Sequence, residues 1–84
     1  MKFPLYSRVA LAADYPAEGI RRGDVAVIVD HHAPPSAVSE PGYSIEIFDA
    51  VGGTVAVLTV PESHLEALRR NEVLSVRLRE THAA

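Results

Sequence analysis

Cysteine is absent from this 84-residue chain, which removes disulfides, thiolate catalysis and zinc–sulfur centres together. No apolar stretch is long enough to span a bilayer, and the run from Val55 to Val60 is typical. Met1 and Lys2 lead straight into Phe3-Pro4-Leu5 without the apolar core and cleavage site of a signal peptide, so a cytoplasmic location is expected. Basic charge is not in surplus either. With 8 Lys and Arg against 11 Asp and Glu, the formal charge of −3 draws the chain toward neither nucleic acid nor anionic membrane. There is no repeat, no low-complexity tract and no charge block longer than a pair. Gly-x-Ser-x-Gly, P-loop and dinucleotide motifs are missing, so nothing points to an enzyme, a cofactor or a small-molecule substrate. What remains is ordinary globular composition, 48% hydrophobic and 23% charged. The length suits one core, hence one domain over residues 1–84, with a tail expected to be disordered over 79–84.

Periodicity and punctuation divide that domain. Residues 6–13 suit a strand with Val9 and Leu11 on one face and Arg8 opposite. Asp14-Tyr15-Pro16 and Gly19 interrupt it, and Arg21-Arg22-Gly23-Asp24 reads as a turn. The β-branched run Val25-Ala26-Val27-Ile28-Val29 is the strongest strand signal. His31-His32-Ala33-Pro34-Pro35 then opens a loop that continues to Gly42, because adjacent prolines cannot donate to a ladder. Tyr43, Ile45 and Ile47 alternate with Ser44 and Glu46, and Asp49 to Gly53 connects them to a returning strand from Thr54 to Val60: a β-hairpin. Pro61 at a first helical position, early Glu62 and Glu66, late Arg69 and Arg70, and Leu65 with Leu68 predict a short helix or 3₁₀ turn over 62–70. Leu74, Val76 and Leu78 alternate with Ser75, Arg77 and Arg79 and predict a last strand.

Five short strands in so small a chain favour a mainly β fold: a small SH3-like five-stranded antiparallel barrel with one short helix or 3₁₀ turn. An OB-like barrel is the alternative, though it would need longer strands and a more substantial helix.

A set of residues in this order also resembles a known family. The pieces are Val9-Ala10-Leu11, Asp14-Tyr15-Pro16, Gly19-Ile20-Arg21-Arg22-Gly23-Asp24-Val25, Val27-Ile28-Val29, Tyr43-Ser44-Ile45-Glu46-Ile47-Phe48-Asp49, Gly53-Thr54 and Val57-Leu58-Thr59-Val60. Together they resemble a family of small bacterial proteins described as a domain of unknown function, numbered four-nine-two-six. The resemblance implies a small SH3-like barrel in a bacterial protein, and it supplies no catalytic residue to carry over. Members commonly have glycine where this chain has Ala26 and end shortly after the position of Leu65, so residues 69–84 lie beyond the resemblance.

Four groups of residues invite a function. His31 and His32 after Asp30 offer imidazoles to zinc, copper or nickel, with His64 or Glu40 as a third ligand; the plain alternative is two solvated loop histidines. Glu46, Asp49, Asp14 and Asp24 are the candidate acid–base carboxylates, but Asp24 suits a turn cap and Glu46 an outer-face partner for arginine or threonine. Arg21, Arg22, Arg69 and Arg70 with Tyr43 would serve a nucleic-acid-binding barrel, against the acidic balance of the chain. Finally, strands 25–29 and 55–60 are apolar on both faces, more than one core consumes, and the strand at 74–78 offers an edge. The expectation is a non-enzymatic protein–protein interaction module, toxin-neutralising or enzyme-accessory, binding a protein partner or itself through Ile28, Val57, Leu74, Val76 and Leu78.

Overall fold

The computed structural model describes residues 2–79. Five strands, β1 (Arg8–Leu11), β2 (Val25–His32), β3 (Gly42–Phe48), β4 (Thr54–Pro61) and β5 (Leu65–Ala67), form one antiparallel sheet in the order β4-β3-β2-β1-β5. Two 3₁₀ turns, Pro16–Glu18 and Glu62–His64, complete the regular structure. β4 and β5 are the two sheet edges and share no ladder among the described residues, so the sheet does not close. No helix among the described residues is long and apolar enough to cross a membrane.

The hairpin is where the alternation places it. Tyr43, Ile45 and Ile47 are buried, while Ser44 and Glu46 between them are only half-buried. Its turn is closed by Asp49, whose Oδ1 accepts the N–H groups of Val51 (3.0 Å) and Gly53 (2.8 Å). Gly52 there has φ +92°, a left-handed conformation that a side chain would strain. The turn before β2 is capped in the same way, with Arg21 N–H donating to Asp24 Oδ2 at 2.8 Å. The buried cluster draws on every strand: Val9 and Leu11, Ile28, Tyr43 and Ile45, Val60, Leu65, with Phe3 and Ile20 from the connections.

Three expectations need correction. β2 does not stop at Val29 but runs on through His31 and His32, because Asp30, His31 and His32 still pair with Ser44, Tyr43 and Gly42. The register shifts between Ile28 and Asp30, so Val29 is an extra residue on β2. Were Val29 paired in step with Ser44, Asp30 would stand opposite Tyr43 on the core side; with Val29 left out of the ladder, Asp30 stays exposed and His31 takes that place. Second, residues 62–70 are not a continuous helix. The 3₁₀ turn ends at His64, Pro61 is the last residue of β4, and Leu65 is pulled into the core as β5 by pairing with Leu11. Third, the fifth strand is therefore 65–67, and 74–78 joins no ladder. Arg79, placed in a disordered tail by composition, donates its Nε to the Glu18 carbonyl at 3.1 Å; residues 80–84 lie outside the described residues.

One backbone angle carries a prediction. Tyr6 has φ +65°, although it is not glycine and its side chain is exposed. Its N–H donates to the Ile28 carbonyl at 2.7 Å, which fixes the turn into β1. Left-handed backbone costs a residue with a Cβ about 1–2 kcal/mol, and glycine is freed of it. Tyr6→Gly is expected to raise the unfolding free energy by about 1 kcal/mol. A urea midpoint that falls instead would mean that the ring makes contacts worth more than the strain.

Candidate functional site

After β5 the chain turns at 69–72, where Glu72 N–H donates to the Arg69 carbonyl at 3.1 Å and Arg69 N–H to Glu72 Oε1 at 2.5 Å. It then runs along the sheet without pairing. The alternation read from the sequence is real, but it sorts side chains differently from a core strand. Arg77 points inward: its guanidinium donates Nε to Asp24 Oδ1 at 3.0 Å, Nη2 to Asp24 Oδ2, and Nη2 to the Gly19 carbonyl at 3.1 Å. The apolar residues point out, Leu74 being 54% exposed, Val76 89%, Leu78 92% and neighbouring Val73 91%. Asp24 thus holds its own turn and the C-terminal segment with one carboxylate. A bidentate charged contact of this kind is directional, so it fixes the segment's orientation as well as its position.

An open groove of about 1020 Å³ lies where the segment meets the sheet, lined by Ile47, Phe48 and Val55 of the hairpin, by Leu11 and Val25, and by Leu74 and Val76. Val57, in the middle of edge strand β4, is 62% exposed. Ile28, expected beside it at an interface, is fully buried opposite Ile45 and belongs to the core. Four of the five proposed contact residues are therefore on the surface, three of them on one segment.

Tyr43, proposed as a base-stacking aromatic, is fully buried and does something else. Its hydroxyl accepts the N–H groups of Lys2 (3.1 Å) and Phe3 (3.3 Å) and donates to Glu62 Oε2 at 2.5 Å. Its ring meets Phe3 and His31 edge-on, with centroids at 5.4 and 5.3 Å. Burial pushes the phenol above its ordinary range, and the Glu62 carboxylate adds to this as acceptor and as negative charge, against the two backbone donors. Tyr15, hydrogen-bonded to His64 Nδ1 at 2.5 Å, is raised by burial alone. A group whose folded pKa lies above its unfolded value gives stability that is whole below the unfolded value and lost as pH rises through the folded one. The urea midpoint is expected to show no loss from these phenols below about pH 10 and to decline above it. The decline should be smaller in Tyr43→Phe; an equal decline would assign it to other groups.

The remaining candidates are dispersed or engaged. His31 and His32 leave β2 on opposite sides: His31 Nε2 donates to the Phe3 carbonyl at 2.7 Å, and His32 Nε2 bonds Ser44 Oγ at 2.7 Å. Glu40 holds Ser63 through its N–H (2.6 Å) and Oγ (3.0 Å), and His64 holds Tyr15. No group of three metal-ligating side chains forms among the described residues. Of the carboxylates, Asp14 accepts Arg22 N–H at 2.8 Å and Glu46 accepts Thr54 Oγ1 at 2.5 Å, as outer-face and turn partners do. Arg22 lies 3.7 Å from Glu66, so acids are interspersed among the proposed nucleic-acid-binding arginines. Sequence reasoning missed the Arg77–Asp24 contact and the Tyr43–Glu62 contact. Opposite charge was the only available signal for the first, and its partners are 53 residues apart.

Residues 5–67 match the family described as domain of unknown function (DUF4926). No curated protein and no solved structure matches the chain. The match stops at the end of β5, so the clamped segment lies beyond it.

Proposed function

The chain belongs to the DUF4926 family, and we propose that it works as a non-enzymatic protein–protein interaction module in the bacterial cytoplasm. The observation that carries this reading is the segment 73–78: Leu74, Val76 and Leu78 exposed at alternate positions, with Val73 exposed beside them, on a backbone held in place by Arg77. Exposed apolar residues scattered singly mean little, but several on one short tethered segment have the composition of an interface core. The backbone of the segment has no ladder, so it is open to strand addition as well. We read the sheet as a partly open SH3-like barrel. The antiparallel order, the bulge in β2 and the 3₁₀ turn between β4 and β5 support that reading. A toxin-neutralising or enzyme-accessory role is what such a module would fill.

The test compares the tagged protein with a Val76→Asp/Leu78→Asp double variant, each isolated from cells that express the chain natively. Both changes fall on exposed side chains, so the circular dichroism spectrum should not change. The wild type is expected in a stoichiometric assembly that the variant lacks. Recovery of the wild type alone and monomeric would overturn the reading.

A further inference from the structure

The edge of β4 has what the segment 73–78 lacks. Between the register shift next to Thr54 and Pro61 at its end, residues Ala56-Val57-Leu58-Thr59-Val60 present a sheet edge with no charge, proline or bulge. No backbone hydrogen bond reaches that edge among the described residues. Natural sheets blunt such edges because an uncharged β-branched edge recruits another strand. Ala56 and Leu58 lie on the core side opposite Ile47 and Ile45, yet both remain half-buried, because no strand lies beyond them. The strand-prone segment of the same chain is kept at the β1–β2 turn by Asp24.

We propose that residues 74–78 of one copy add to the β4 edge of a second copy, antiparallel and reciprocally, to form a two-fold dimer. The register follows from the two patterns. Leu74 opposite Val60, Val76 opposite Leu58 and Leu78 opposite Ala56 continue the core face, the largest side chain meeting the smallest at the Ala56 end. Ser75 then falls opposite Thr59 and Arg77 opposite Val57, on the outer face. Val57 pairs with Glu46 on β3, so Arg77 arrives on the face that carries an acid. Apolar alternation, length and charge all match between two parts of one sequence, which selects a second copy over a foreign strand. A reciprocal exchange closes the assembly at two, where one-way addition would propagate. Arg77 exchanges Asp24 for the partner's outer face, so the clamp holds the monomer and competes with assembly.

This inference rests on the reading of 73–78 as a contact surface and adds its partner and docking edge. The chain has no cysteine, so a pair introduced at the predicted register reports it directly. Ser75→Cys/Thr59→Cys is expected to give a covalent dimer on mild oxidation, and a disulfide formed within one chain would overturn the proposal. Light scattering over a concentration series is expected to show a wild-type dimer. Val76→Asp and Val57→Lys should each raise its dissociation constant by at least about tenfold, whereas Asp24→Asn lowers it. A wild type that is monomeric throughout, or a dimer that survives Val76→Asp, overturns the proposal. A monomer that still retains a foreign protein through Val76 overturns the second copy alone and leaves the contact surface standing.

Discussion

Tyr43→Ala is expected to lower the unfolding free energy by about 3–5 kcal/mol, a large part of what a domain of this size holds. The side chain is fully buried between β2 and β4, so truncation leaves a cavity lined by Phe3, His31 and Val60, its neighbours by ring contact or register. It also orphans the Lys2 and Phe3 N–H groups and the Glu62 carboxylate. Tyr43→Phe separates the two effects: the ring stays, and the loss should be about 1–3 kcal/mol, the cost of unpaired polar groups in a partly buried place. Urea titrations of both variants decide this. Equal losses would mean that the hydroxyl network, not the ring, carries the residue's contribution.

The second large effect separates two residues that the sequence grouped together. Ile28→Ala should cost about 2–5 kcal/mol, since the side chain is fully buried opposite Ile45 in the middle of the sheet. Val57→Ala, on an exposed side chain of the outer edge strand, should change the stability of the monomer by no more than about 0.5 kcal/mol. Chemical denaturation at low protein concentration makes the comparison. A Val57 effect as large as that of Ile28 would place Val57 in the core.

What was legible in the sequence follows a physical division. The hairpin and the start of β2 were readable because alternation and β-branching act locally, and because Asp49 and Asp24 close their turns through nearby N–H groups. The end of β2 was not readable, because Asp30-His31-His32 has loop chemistry and is strand only through its ladder to Gly42 and Tyr43. β5 was hidden for the same reason: Leu65-Glu66-Ala67 suits a helix, and pairing with β1 overrides that preference. At 74–78 the alternation correctly separated Arg77 from Leu74, Val76 and Leu78. Which side faced the protein depended on Asp24, far away in the chain, so a strand was expected where a tethered segment lies. The apolar surplus is legible in the two-faced strands 25–29 and 55–60 and in 74–78, but of the five residues it points to, Ile28 is core, because the sheet buries the face of β2 that carries it.

The extra residue in β2 has a consequence for how the chain can change over time. Val29 stands outside the count of paired residues, so the ladder on either side of it does not depend on its presence. Exchange of one residue for another there leaves the phase intact. Loss of the Val29 codon closes the bulge and leaves Asp30 opposite Ser44 and His31 opposite Tyr43, whereas loss of His31 in an evenly counted ladder brings the Asp30 carboxylate opposite the buried Tyr43. The chain can thus shed the extra residue of β2 without moving its other pairs, but it cannot shed the histidine that follows the Asp30 carboxylate on the same terms.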